Sequence, residues 1–146
     1  MKADAPIFRW PVRVYWEDTD AGGIVYYANY LKFFERARTE WLRSLGLAQA
    51  ELAAQAGLVF VVAEVHLRYA APARLDDALQ IQLRAQEFGA ASLQVVQQAW
   101  LTDAQGAPGT LLCEATVRVG CVQSASLRPA RIPADMRARI NRWMTG

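Results

Sequence analysis

The feature that most constrains this chain is an abrupt change of hydrophobic period within its first third. Over residues 9–16, Trp10, Val12, Val14 and Trp16 alternate with Arg9, Arg13 and Tyr15, the two-residue repeat of a strand with one buried face. From Ala28 the interval lengthens. Tyr30, Phe33, Phe34, Ala37, Trp41 and Leu45 recur every three or four residues, which places them along one stripe of an α-helix. Asn29 is positioned to cap the helix start and Gly46 its end, and Arg36 and Glu40 are spaced to pair on the wet side. Between the two periods lies an acidic turn, Glu17-Asp18-Thr19-Asp20, followed by Gly22-Gly23. The turn is therefore held between a strand and a helix N-terminus, and chemistry is expected there.

The remainder reads as strand after strand. An Ala-rich second helix over 47–57 ends at Gly57. Residues 58–69 then alternate Val59, Val61, Ala63, Val65, Leu67 and Tyr69 against Glu64, His66 and Arg68. Residues 78–88 set Leu79, Ile81 and Leu83 against Gln80, Gln82 and Arg84. After a Gly89-Ala90-Ala91 break, 92–102 and 110–122 follow on either side of a turn-rich segment, the last with Leu111, Cys113, Ala115, Val117 and Val119 on one parity. Pro129 and Pro133 bracket a connector to a short helix over 134–144, and residues 1–7 read as a loose leader to a single domain over 1–146. Five strands with mostly short connections favour an antiparallel sheet, and the long amphipathic helix can cover one face. The predicted fold class is α+β, with Trp10, Trp16, Phe34 and Trp41 supplying much of the helix–sheet contact.

Composition matters chiefly for what it excludes. Hydrophobic residues at 53% argue against disorder, and a net charge of +2 from scattered basic residues gives little reason to expect nucleic acid. No apolar run reaches the ~18–20 residues of a membrane span, and the start MKADAPIFRW has no signal-peptide core, so a cytoplasmic location is the default expectation. His66 is the only histidine and falls mid-strand, a poor base for a Ser-His-Asp or Cys-His triad, and there is no G-x-S-x-G elbow. Cys113 and Cys121 read as buried thiols rather than a disulfide or half of a zinc set, and no phosphate-binding glycine motif is present. The acidic turn admits three readings. Asp18 and Asp20 could be a carboxylate pair for Mg²⁺, as in the haloacid-dehalogenase-like phosphatases, although those need a parallel sheet and a longer chain. Asp20 alone could act beside free N–H groups at 25–28, with Gly22 and Gly23 letting the backbone fold tightly. Or the acids could simply be a solvated turn facing the helix dipole.

The run EDTDAGGIVYYANYLKFFERARTEWLRSLG, with the opening FRWPVRVYWEDTD and the segment Tyr69-Ala70-Ala71-Pro72-Ala73-Arg74-Leu75-Asp76-Asp77, resembles the hotdog-fold acyl-CoA thioesterases of the 4-hydroxybenzoyl-CoA thioesterase type. Closest is the branch associated with the Tol–Pal cell-envelope system, and the resemblance covers residues 7–135. It implies a five-stranded antiparallel sheet wrapped around one helix, hydrolysis of acyl-CoA without a metal or organic cofactor, and homodimers that pair into tetramers. By position it makes Asp20 the catalytic carboxylate and the Tyr27 backbone N–H the group that polarises the thioester carbonyl. Gly22 and Gly23 then line the substrate. Many members of this branch carry His where this chain has Tyr27. Benzoyl-type members place basic residues for the CoA phosphates where this chain has Gly89, Ala90 and Ala91, which leaves Ser92 and Arg128 as the CoA contacts. Two other readings stay open at this point: a hotdog dehydratase, which would want an active-site His, and a non-enzymatic adaptor for acyl carrier protein or lipid-synthesis enzymes.

Overall fold

The two periods of the N-terminal third become two layers. The computed structural model describes residues 5–146, so residues 1–4 of the expected leader lie outside the described residues. The elements are β1 (Phe8–Arg13), α1 (Tyr30–Ser44), α2 (Gln49–Ala56), β2 (Leu58–Tyr69), β3 (Ala78–Phe88), β4 (Ser92–Thr102), β5 (Pro108–Gln123) and α3 (Ala134–Thr145). The strands form one antiparallel sheet in the order β1-β3-β4-β5-β2. Phe33, Phe34, Ala37 and Trp41 of α1 are buried in one core with Ile81 and Leu83 of β3, Val95 of β4 and Val117 of β5. This is the hotdog arrangement, a sheet curled around one helix. It is held mainly by apolar area removed from water, at about 25 cal/mol per Å².

Helix α1 stops where the sequence expects. Gly46 sits at φ +77°, its N–H donates to the Arg43 carbonyl at 3.0 Å, and the Leu47 N–H reaches back to the Leu42 carbonyl at 2.9 Å. Those paired bonds close the helix end, and only glycine takes that φ without strain. Its start differs from the expectation. Asn29 has helical backbone angles and makes no cap bond; its side chain goes to Asp18 instead. On the wet side Glu40 pairs with Arg43, at 3.2 Å, rather than with Arg36.

Two further expectations are corrected. Strand β1 ends at Arg13, and Trp16–Asp18 forms a 3-10 turn that leaves Trp16 79% exposed. Trp16 therefore adds nothing to the helix–sheet contact. The alternation continues on paper through Trp16, but the Asp18 carboxylate takes the Tyr15 N–H and bends the chain away. In β2 the register shifts between Val62 and Glu64, so Leu58 and Phe60 face the core before the shift and Leu67 after it. One inserted residue exchanges the two faces of a strand, and a fixed parity cannot show that. Cys113 and Cys121 are free and buried, on one parity of β5 as read. Burial pushes the Cys113 thiol up to about 12, which makes it an inert core residue.

Candidate active site

The site grows from the end of β1. The Val14 N–H donates to the Asp77 carbonyl and the Asp76 N–H to the Val14 carbonyl, both at 3.0 Å, so the strand exit is clamped to the entry of β3. Asp18 then turns the chain. It is only 4% exposed; its Oδ2 accepts the Tyr15 N–H at 2.8 Å and its Oδ1 accepts Asn29 Nδ2 at 2.9 Å. One buried carboxylate thus ties the strand exit to the helix entry. Both of its oxygens accept from N–H donors and the side chain is buried, the setting of a carboxylate that holds the fold. The Mg²⁺ pair is not what this geometry builds.

Asp20, two residues on, is placed differently. Its backbone N–H bonds the Ile24 carbonyl at 2.9 Å and its carbonyl accepts the Gly23 N–H at 3.0 Å. Its Oδ1 accepts the Gly22 N–H at 2.8 Å, and the residue is exposed. Gly23 takes φ +79°, and a Cβ on Gly22 would lie 3.1 Å from the Asp20 Oδ1. The glycine pair thus lets the backbone close on the carboxylate and fix its rotamer without covering it. The far side of the turn is held by the 70–77 loop, where the Val25 N–H donates to the Ala73 carbonyl at 2.9 Å and Ile24 bridges Arg74.

Tyr27–Asn29 forms a 3-10 turn that runs directly into α1. The Asn29 N–H donates to the Tyr26 carbonyl at 2.8 Å, the first bond of that turn. The N–H groups of Tyr27 and Ala28 precede it and have no acceptor within the helix, so they are its orphan donors. The positive end of the α1 dipole lies there too. Tyr27 itself is 63% exposed, so its side chain is not what holds the turn. The Tyr69 phenol, at the end of β2, donates to the Tyr27 carbonyl at 2.6 Å. Tyr26, Tyr27, Tyr30 and Tyr69 pack edge to face or tilted, with the Tyr26 and Tyr27 rings 4.8 Å apart. The hydrogen bond to Tyr27 is the largest cause holding the Tyr26 phenol above its ordinary pKa, and the Asp20 charge adds to it.

Of the residues expected from the sequence, Asp20, Gly22, Gly23 and Tyr27 come together here. Ser92 and Arg128 do not join them within one chain. Asp20 lies near the Ala78 end of β3, whereas Ser92 opens β4 beyond Phe88, across from Gly120. The Arg128 carbonyl accepts the Gln123 N–H at that same end. The 11 residues of β3 separate the two groups, roughly 35 Å of extended chain. At the Ser92 end, Arg137 of α3 donates to the Gly89 and Ala90 carbonyls at 2.8 and 3.3 Å and lies 4.6 Å over the Phe88 ring. A basic side chain thus stands at the hairpin whose own residues are uncharged. It arrives from far along the chain, and no local signal announces it. His66 faces Thr116 across β2 and β5 and is exposed.

The flank of α1 toward β2 carries a cavity of about 460 Å³, lined by Arg38, Thr39, Leu42, Phe60 and Val61 among others. It also lies toward the Ser92 end. The Arg38 guanidinium donates to Gln97 Oε1 at 3.0 Å, and Gln97, fully buried, donates to the Phe34 carbonyl at 2.9 Å. Burial lowers the Arg38 pKa from its ordinary value, and the Glu35 charge works against that shift.

The thioesterase-like superfamily matches residues 14–140. An Escherichia coli protein named acyl-CoA thioester hydrolase YbgC is 46% identical over 92% of this chain and 96% of its own. The crystal structure of a probable thioesterase from Bartonella henselae is 32% identical, with a TM-score of 0.79 over 88% of this chain and all of that one. A 4-hydroxybenzoyl-CoA thioesterase variant solved with 4-hydroxybenzoyl-CoA is 21% identical and shares the fold, with a TM-score of 0.84 over 92% of this chain and 98% of that one. With a match over nearly the whole fold and an exposed carboxylate set against a helix start, this chain belongs to the thioesterase-like superfamily.

Proposed function

We propose that this chain is an acyl-CoA thioesterase, with Asp20 as the carboxylate that opens the thioester and the Tyr27 N–H as its electrophilic partner. The observation that carries the reading is the exposed Asp20 carboxylate, fixed by Gly22 beside orphan N–H donors at the start of α1. The name of the E. coli relative supports the substrate class. The thioester carbonyl accepts from the N–H donors, which stabilise the oxygen most as it becomes an oxyanion. Asp20 either attacks the carbonyl carbon, forming a mixed anhydride that water then hydrolyses to free the carboxylate, or removes a proton from a water that attacks directly. The C–S bond breaks in both cases, the CoA sulfur leaves as thiolate and is protonated, and water supplies the second oxygen of the product carboxylate. A thioester is already an activated acyl group, so the scheme invokes no metal or organic cofactor.

The CoA end calls for a second copy. Asp20 and Ser92 of one chain stand at opposite ends of β3, so the carboxylate and the expected phosphate contacts do not share one end of the sheet. Strand β2 runs from Leu58, opposite Gln123, to Tyr69 beside the site, and its outer edge is unpaired among the described residues. Exposed Val61, Val62 and Val65 lie along it. Such an edge is normally paired or covered. Antiparallel pairing of two β2 edges about a two-fold axis reverses one sheet against the other. It sets Ser92 and Arg128 of the partner subunit toward Asp20, where they would take the CoA phosphates. The α1 cavity of that subunit would stand beside the acyl group.

A panel of acyl-CoA esters with short, long and aromatic acyl groups tests the activity. At least one should be hydrolysed with saturation kinetics, and treatment with EDTA followed by dialysis should leave the rate unchanged. A chain that binds acyl carrier protein but hydrolyses none of the panel would be an adaptor. The assembly is tested by Val62→Asp with Val65→Asp. Both side chains are exposed within one chain, so each subunit should stay folded while sedimentation shows monomers and the hydrolysis rate collapses. A fully active monomer would overturn the shared site.

A further inference from the structure

We propose that Tyr69 is a positioning residue for this hydrolysis, its phenol holding the Tyr27–Ala28 peptide so that the Ala28 N–H points with the Tyr27 N–H at the reacting carbonyl. The inference rests on the thioesterase reading above. Tyr69 Oη donates to the Tyr27 carbonyl at 2.6 Å, a short bond spanning 42 residues of sequence. A trans peptide is planar, with its C=O and N–H on opposite sides. Gripping the Tyr27 carbonyl therefore fixes the direction of the Ala28 N–H. That N–H precedes the first bond of the 3-10 turn, so no helical acceptor orients it. A donor on the carbonyl also polarises the N–H of the same peptide, as hydrogen bonds in series do.

The clamp is itself well anchored. Tyr69 faces Cys113 in the β2–β5 ladder, and the next two N–H groups, Ala70 and Ala71, both donate to the Leu112 carbonyl at 2.8 and 3.1 Å. Its ring lies 5.8 Å from that of Tyr30 and 6.5 Å from that of Tyr27. Yet Tyr69 is 45% exposed. A ring so open to solvent adds little to the core, and phenylalanine would pack there as well. The hydroxyl is the part of this side chain that reaches the site.

The test compares wild type, Tyr69→Phe and Asp20→Asn on the best substrate of the panel. Tyr69→Phe should keep its melting temperature and its KM within about twofold while kcat falls ~10-fold, the worth of one hydrogen bond felt in the transition state. Unchanged kcat in Tyr69→Phe beside a dead Asp20→Asn overturns the clamp and leaves the thioesterase reading standing. Full activity in Asp20→Asn instead removes Asp20 as the working carboxylate, and with it the site that the clamp is proposed to serve. A second probe covers the case in which Tyr69→Phe loses its fold: a fluorinated tyrosine at 69, whose phenol ionises near neutrality and then cannot donate. The titratable groups facing it are Tyr27, Tyr30 and Cys113, and burial pushes the last two up to about 12. Its kcat should fall as pH rises through neutrality, over a range where the wild type does not change. A profile that follows the wild type overturns the proposal.

Discussion

Asp20→Asn is expected to lower kcat by ~10²–10⁴ if the carboxylate serves as general base, and further if it is the nucleophile. The protein should remain folded, because the amide oxygen can still accept the Gly22 N–H that Oδ1 holds at 2.8 Å. Its neighbour supplies the control. Asp18 is buried and both oxygens accept from N–H donors, so Asp18→Asn turns one acceptor into a donor facing another donor. That should cost about 1–3 kcal/mol of stability and lower the melting temperature by several degrees, with a smaller effect on kcat at a temperature where the chain is folded. The paired measurement is steady-state kinetics alongside thermal unfolding. Equal losses of kcat in the two folded variants would sink the single-carboxylate assignment.

Tyr27→Pro should be nearly as damaging while leaving the backbone in place. Proline removes the N–H and fixes φ near −65°, which the first turn of a helix tolerates. It also forces the preceding residue into extended geometry, and Tyr26 already has φ −59° and ψ 133°. The substitution thus removes one donor and asks for no new conformation. Loss of one oxyanion donor costs ~3–4 kcal/mol, or ~10²–10³ in rate. Tyr27→Phe keeps the donor and should retain most of kcat, and Tyr27→His, which restores the residue common in the resembled branch, should stay active. A folded Tyr27→Pro chain that works near the wild-type rate would refute a backbone donor at this position. A Tyr27→Phe chain as dead as Tyr27→Pro would make the phenol the working group.

What the sequence made legible was whatever lives in local periodicity. The bounds of β2, β3 and β4, the closing role of Gly46 and the setting of Asp20 just before a glycine pair and a helix start all follow from spacing within about ten residues. What it hid lies in specific contacts that spacing does not show, some of them local and some with partners far away in the chain. Trp16 continues the alternation of β1, and only the Asp18 carboxylate capturing the Tyr15 N–H shows why the strand has already ended. Asn29 looks like a helix cap until that same carboxylate claims its amide. The parity of β2 fails at a bulge that depends on how it pairs with β5. Tyr69 and Arg137 reach their places across 42 and 47–48 residues, so neither could be assigned from its neighbours in the sequence.

The distance between Asp20 and the α1 cavity, set by the length of the sheet, also bears on how such a protein can change over generations. In the proposed mechanism the groups that break the bond are a turn carboxylate and main-chain amides, and main-chain amides are largely indifferent to point mutation. The cavity wall is built from ordinary side chains such as Leu42, Phe60 and Val61, on different elements from the turn. Substitutions there can drift through sizes and shapes without moving Asp20 or the start of α1. If that cavity receives the acyl group as proposed, selection can trade one acyl preference for another while the hydrolytic step is inherited intact, a division that lets a single scaffold diversify by small, separately tolerated steps.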